Sequence, residues 1–304
     1  MRIFTQFDAA AEASADAGRE LARVRENLAQ VRAIVVIASA KGGVGKSVLA
    51  VNLSVALALM GRKVGIVDAD LNAPSVVAML GMNPAWRYPL LEGIEPAAGP
   101  HGIRVVASDL LPGGEPPLIA FVGEDQAAAP TNHVPPAEIG LAKALRAMLG
   151  QARFGSLDLL IIDLAPGLDQ LYELAKIAAP DAVVLVSHPS ALAVQAARHA
   201  IELADGLGAP VAGIVENMVG FNCDSCRTVR PLLPEGEMQG LAQACEVPIL
   251  GRLPFDPRVA EAADRGVPFI REDPNAPISK SIGEIAQGLE RVLAARIRES
   301  QSHA

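Results

Sequence analysis

The chain has 304 residues, 51% of them hydrophobic but only 3% aromatic, so Ala, Val, Leu and Ile must fill the core, as in a parallel sheet covered by helices. With 26 basic against 34 acidic side chains the formal charge is −8, a poor match to a nucleic-acid binder, whose affinity rests on neutralising phosphates. Three cysteines are too few for a disulfide framework, the N-terminus lacks a basic-then-apolar leader, and no apolar run reaches the roughly 20 residues a membrane span needs, so the expectation is a reducing cytoplasm with no membrane or nucleic-acid partner.

In chain order, residues 8–32 read as an Ala-rich helix with charges spread round it, and residues 1–32 as an N-terminal helical extension. The unbroken apolar run 33–39 predicts a buried strand, followed by a Gly-rich turn and a helix that Gly61 stops. Strands follow at 63–70 and 102–108. Residues 109–138, rich in Pro, Gly and Ala, have no period and read as a long surface loop. A helix at 137–150 leads to a strand at 157–163; strands at 182–187 and 210–217 flank a helix at 190–206; a strand at 247–254 precedes a helix from 257. The last helix, 278–298, carries an apolar stripe of Ile285, Leu289, Val292, Leu293 and Ile297 and a mixed polar face, which suits docking on the domain. The alternation predicts a doubly wound, mainly parallel α/β sheet, with its main domain at 33–277 and a C-terminal helix and tail at 278–304. Ligands of such sheets sit beyond the carboxyl ends of the strands, and the motifs fall there.

Residues 39–47, Ser-Ala-Lys-Gly-Gly-Val-Gly-Lys-Ser, lie between a strand and a helix. Backbone amides of Gly42, Gly43, Val44 and Gly45 can wrap a phosphate, with the positive end of the helix behind them. In that frame Lys46 pairs with the β/γ-phosphates and the Ser47 hydroxyl ligates Mg²⁺. Asp68 and Asp70 end one strand and Asp163 ends another, as carboxylates serving a bound Mg²⁺–ATP must. Cys223 and Cys226 stand in Cys-x-x-Cys spacing, two thiolates able to hold one side of a soft metal centre; [4Fe–4S] and structural zinc both usually need four ligands. Cys245 stands alone and reads as a buried small residue.

The Lys-Gly-Gly-Val-Gly-Lys-Ser string resembles the deviant Walker A P-loop NTPases (the SIMIBI type), which include MinD, ParA, the nitrogenase iron protein and the Mrp/ApbC iron–sulfur carriers. The resemblance implies that Lys41 reaches across a homodimer interface to the partner's nucleotide. It also makes Asp163 a Walker B carboxylate, puts Asp68 with the Mg²⁺, and has Asp70 position the attacking water. Asp68-Ala-Asp-Leu-Asn-Ala-Pro-Ser75 and Val215-Glu-Asn-Met218 look like the Mrp/ApbC branch, in which Asn217 would read the adenine and the loop with Pro254 and Asp256 would close over the base. That branch implies an ATP-dependent carrier whose [4Fe–4S] cluster bridges Cys223 and Cys226 of two copies and is passed to apo-proteins. The alternatives are a metallochaperone ATPase with zinc or nickel on the same thiolates, and a MinD- or ParA-like positioning ATPase. Val48 replaces the usual hydroxyl residue after Ser47, and Ala165 and Leu168 depart from the branch's switch II, which implies slow hydrolysis.

Overall fold

The computed structural model describes residues 18–83, 93–110, 136–222, 229–233 and 237–302. Nine strands among them form one sheet: β1 (Ile34–Ala38), β2 (Val64–Asp68), β3 (Ala97–Ala98), β4 (Arg104–Ala107), β5 (Leu159–Asp163), β6 (Ala182–Ser187), β7 (Val211–Asn222), β8 (Val229–Arg230) and β9 (Ile249–Phe255). Their order is β3-β4-β2-β5-β1-β6-β7-β8, with β9 also on β7; β3 and β8 run antiparallel and the rest parallel. Every residue of β1, β2, β5 and β6 is buried, which is why these strands read as continuous apolar runs rather than alternating ones.

Ten helices surround the sheet among the described residues: α1 (18–28), α2 (Lys46–Leu59), α3 (Val76–Met79), α4 (Pro136–Gln151), α5 (Asp169–Ala178), α6 (Ala191–Gly206), α7 (Met238–Ala244), α8 (Pro257–Asp264), α9 (Phe269–Glu272) and α10 (Pro277–Ser302). Helix α2 is apolar almost all round because it is buried almost all round, from Leu49 to Leu57. It ends where the sequence predicts. Gly61 takes φ +84°, its amide donates to Ala58 O (2.9 Å), and the Arg62 amide donates to Leu57 O (3.1 Å), a Schellman closure. One buried polar side chain on α2, Asn52, accepts the Ile270 amide at 3.0 Å and so ties α2 to α9.

The first helix is docked. Val24 and Leu28 enter the core, Asn27 Nδ2 donates to Gly150 O (2.6 Å), and Glu20 pairs with Arg146 at 3.3 Å. On α10, Ile285, Leu289 and Leu293 are buried, and the helix packs on β9 and α2. The Arg296 guanidinium donates to the carbonyls of Asp181, Pro210 and Val211 at 3.0–3.2 Å. No helix among the described residues is long and apolar enough to cross a membrane.

Among the differences from the sequence reading, two bear on the site. Strand β7 continues to Asn222 rather than ending at 217: Met218 adopts φ +59° and the pairing with β9 shifts register between Asn217 and Phe221, so the strand bends and resumes. Helix α5 occupies a stretch for which no element was expected; Leu171, Leu174 and Ile177 are its buried face.

Candidate functional site

The phosphate loop leaves β1 at Ser39 and enters α2 at Lys46. Ser39 Oγ donates to Lys41 O at 2.9 Å, and the Gly167 amide donates to Ser39 O at 2.9 Å, so the loop is pinned to the segment after β5. Gly43 and Gly45 hold φ +74° and +83°, a left-handed backbone that glycine adopts without a Cβ penalty. A Cβ on Gly45 would lie 2.3 Å from Asn217 Nδ2, so this position has no room for a side chain. Gly45 is the N-cap of α2 and no side chain caps the helix, which leaves its first amides free to bind an anion.

Lys46 Nζ lies 2.7 Å from Asp163 Oδ1, with the two side chains 6% and 0% exposed. The other oxygen, Asp163 Oδ2, is buried and has no hydrogen-bond partner among the described residues. Burial pushes the Asp163 carboxyl above its ordinary range; the Lys46 charge and the Ser47 hydroxyl pull it part of the way back. An unpaired carboxylate oxygen in a closed site, beside the Ser47 hydroxyl, fits a divalent cation or its bound water.

Asp68 sits next to Asp163 in register. Its Oδ2 accepts the amides of Ser75 (2.7 Å) and Val76 (2.9 Å), and its Oδ1 accepts that of Asp70 (3.1 Å). Burial, and then the neighbouring Asp163, push Asp68 up to about 7 against the pull of those three amides. The segment 70–76 is therefore wrapped around one buried carboxylate, whose oxygens are already engaged by backbone. Asp70 is half-buried, and its Oδ1 accepts the Ala73 amide at 3.2 Å.

Gln170 is a member of the site that no motif marks. Its Oε1 accepts the Ala165 amide (2.5 Å) and its Nε2 donates to Ala69 O (3.3 Å), joining the loop after β5 to the end of β2. Its burial on α5 follows from tertiary packing, so the sequence carries no local signal for it. Glu216, also buried, pairs with Arg252 of β9 at 2.7 Å.

Asn217 faces the phosphate loop: Nδ2 donates to Val44 O at 2.8 Å and Oδ1 accepts the Met218 amide at 2.9 Å. Pro254 lies half-buried near the end of β9, and Asp256 caps α8 through the Arg258 amide at 3.0 Å. Lys41 is exposed at the outer edge of the loop, Gly42 adjoins Pro166, and Val48 is half-buried in the first turn of α2. Thus Gly42, Gly43, Val44, Gly45, Lys46, Ser47, Val48 and Asn217 come together with Asp68, Asp70 and Asp163 around one loop. Cys223 and Cys226 lie outside the described residues; in sequence they follow directly on the end of β7. Cys245 is a free, half-buried thiol at the end of α7. Among the described residues no three His, Cys, Asp or Glu side chains group as a metal cage.

Against known proteins, the model of the ParA family described as "NUBPL iron-transfer P-loop NTPase" matches residues 30–130 and 136–290. The chain belongs to this family. Relatives of the NUBPL-type NTPase include the iron–sulfur cluster carrier protein of Saccharolobus solfataricus, 34% identical over 89% of this chain and 87% of its own. That of Methanocaldococcus jannaschii is 36% identical over 83% and 82%. Among solved structures, a nucleotide-binding protein of Archaeoglobus fulgidus in complex with ADP, with cobalt found in it, superposes at TM-score 0.66 with 29% identity, covering 86% of this chain and 95% of that one. The cell-division ATPase MinD of Pyrococcus furiosus shares the fold at TM-score 0.59, 23% identity and 86% and 100% coverage. The P-loop NTPase fold and the family expected from the sequence are both found.

Proposed function

We propose that this protein is an ATP-dependent iron–sulfur cluster carrier that works as a homodimer in the cytoplasm and delivers a bridging [4Fe–4S] cluster to apo-proteins. The observation that carries the reading is a placement. In a chain whose relatives are named cluster carriers, the strand that touches the phosphate loop through Asn217 runs on in sequence into Cys223 and Cys226.

Bound nucleotide supplies the phosphates, and Mg²⁺ neutralises the charge that develops on them. The residues of this chain do the rest. Lys46, now paired with Asp163, would bind the β/γ-phosphates, and Asp163 with its unpartnered Oδ2 would hold the Mg²⁺ shell together with Ser47. Asp68 fixes the segment that carries Asp70, and Asp70 orients the attacking water. Lys41, exposed at the loop's edge, reaches the nucleotide of the partner subunit. Asn217, Pro254 and Asp256 line the side on which the base lies. Two copies each of Cys223 and Cys226 make four thiolates, the number a cubane cluster takes.

A second reading is a metallochaperone with zinc, nickel or another transition metal on the same thiolates; the cobalt found in the Archaeoglobus structure favours keeping it. Anaerobic reconstitution with iron and sulfide, on the parent and on a Cys223→Ala/Cys226→Ala variant, separates the two. The carrier reading expects visible absorption and about four irons per dimer, both lost in the variant. A protein that takes up no iron and instead holds stoichiometric zinc, nickel or cobalt on these cysteines would replace it with the second.

A further inference from the structure

Asn217 is the only residue of β7 whose side chain is shown reaching the phosphate loop among the described residues, and both ends of its amide are engaged, one by the loop and one by its own strand. The donor end holds Val44 O at 2.8 Å; the acceptor end holds the amide of Met218 at 2.9 Å. Exchanging the two ends would set carbonyl against carbonyl and N–H against N–H, so the pattern fixes the amide's orientation. The side chain also lies where a Cβ on Gly45 would be, 2.3 Å away, so the loop cannot move toward β7 without displacing it.

The next residue is a pivot. Met218 has φ +59°, which a side-chain-bearing residue adopts at a steric penalty, and the Asn217 Oδ1 bond to its amide is what the bend gains locally. Before the pivot, β7 is locked on both sides: Leu185, Val186 and Ser187 of β6 pair with Ile214, Val215 and Glu216, while Arg252 and Leu253 of β9 pair with Glu216 and Asn217. After it, the strand resumes two residues out of the earlier register, pairing Phe221 with Phe255 and setting those rings 6.4 Å apart between centroids, tilted by 51°. The outer arm, 219–222, is thus a separate short segment whose direction is set at Met218, and it is the arm that leads in sequence to Cys223.

We propose that Asn217 is a coupling residue: a nucleotide in the phosphate loop resets its amide, and the released or retained bond to Met218 changes the bend that aims the outer arm of β7. Reading a base needs a donor and an acceptor from an amide, and here each end already holds one protein partner, Val44 O and the Met218 amide, with one N–H and one lone pair left over. A nucleotide that turns the amide toward its base changes the geometry of the bond to Met218, and one that moves Val44 pulls on it. The coupling itself requires only nucleotide binding; its relevance to cluster handling rests on the carrier reading above.

The test is amide hydrogen exchange over 213–222 and 249–255 in the full-length protein, with and without saturating Mg²⁺ and a non-hydrolysable ATP analogue. The parent is expected to change exchange at 218–222 on nucleotide binding by about fivefold, the worth of one neutral hydrogen bond. In Asn217→Ala, saturated with the analogue as verified by a fluorescent nucleotide, exchange at 218–222 is expected to be the same with and without nucleotide. A merely structural role would raise exchange equally in both states and leave the nucleotide-dependent difference intact. That result, or a parent whose arm does not respond, overturns the proposal. Should Asn217→Ala fail to fold or to saturate, Met218→Gly reads the same pivot: it removes the penalty at φ +59° and is expected to shrink the difference while nucleotide still binds, and an unchanged difference there also overturns it. None of these measurements involves iron or a cluster, so failure of cluster reconstitution is a distinct result.

Discussion

The buried pair of Lys46 and Asp163 sets up a prediction that can be worked through in numbers. Lys46→Met keeps the reach and bulk of the side chain but removes the charge. Asp163, fully buried and next to Asp68, then loses the cation at 2.7 Å, while Oδ2 was already without a partner. Breaking a buried pair from one side costs about 3–5 kcal/mol when the remaining charge cannot escape. Asp163 can escape by taking a proton, at about 1.4 kcal/mol for each pH unit above its pKa. Its pKa is already raised by burial, and removing Lys46 raises it further. A carboxyl whose folded pKa lies above its unfolded one stabilises most at low pH and loses that contribution as pH rises through the folded value. The deficit of the variant should therefore be largest near pH 8 and shrink toward pH 5. Urea unfolding of nucleotide-free protein at the two pH values measures it. Adding Asp163→Asn should recover most of the loss, because the stranded charge is gone. A variant within about 0.5 kcal/mol of the parent at pH 8, a pH-independent deficit, or no recovery in the double variant would refute the reasoning.

Gly45→Ala forces a Cβ onto Asn217 Nδ2 at φ +83°, so the loop should leave its binding geometry and nucleotide affinity should fall about five- to thirtyfold, the equivalent of the roughly 1–2 kcal/mol of left-handed strain; titration with a fluorescent nucleotide checks it. For Asp68, raised to about 7, the folded protein keeps between pH 4 and 7 a proton that the unfolded chain has released, so stability should fall across that window as pH rises. Asp68→Asn should flatten this part of the profile in pH-resolved urea melts, and an unchanged slope would remove Asp68 as its source. Lys41→Ala leaves the monomer fold untouched, because the side chain is exposed, but should abolish ATP-dependent dimerisation in sedimentation velocity. Persistence of the nucleotide-dependent dimer would take Lys41 out of the interface.

What the sequence displayed follows from what is local. β1, β2, β5 and β6 are buried on both faces, so each announces itself as an apolar run, and the phosphate loop is a contiguous string between a strand and a helix. Gly61 closes α2 for a reason visible at one residue. Longer-range features were not visible. The partner of Lys46 is 117 positions away, and which carboxylate it meets depends on β1 lying beside β5. Gln170 joins two loops through burial that no local pattern encodes. Helix α1 is Ala-rich with charges spread round it, and its docking hangs on Val24, Leu28 and the amide of Asn27 rather than on a broad stripe. β7 looked finished at Asn217 because polar residues and Gly220 interrupt the run; the bend at Met218 is what lets it continue.

The strand order has a consequence for biosynthesis. β1, whose C-terminal end leads into the phosphate loop, pairs on one side with β5 (Ile34 with Leu160) and on the other with β6 (Val35 with Ala182). Neither neighbour exists when β1 leaves the ribosome. An apolar strand must wait, with both hydrogen-bonding edges open, while more than a hundred further residues are translated, and only then can the centre of the sheet close. The nascent chain is therefore most vulnerable to aggregation in its first half, where a chaperone that shields extended apolar segments would have the greatest effect on yield.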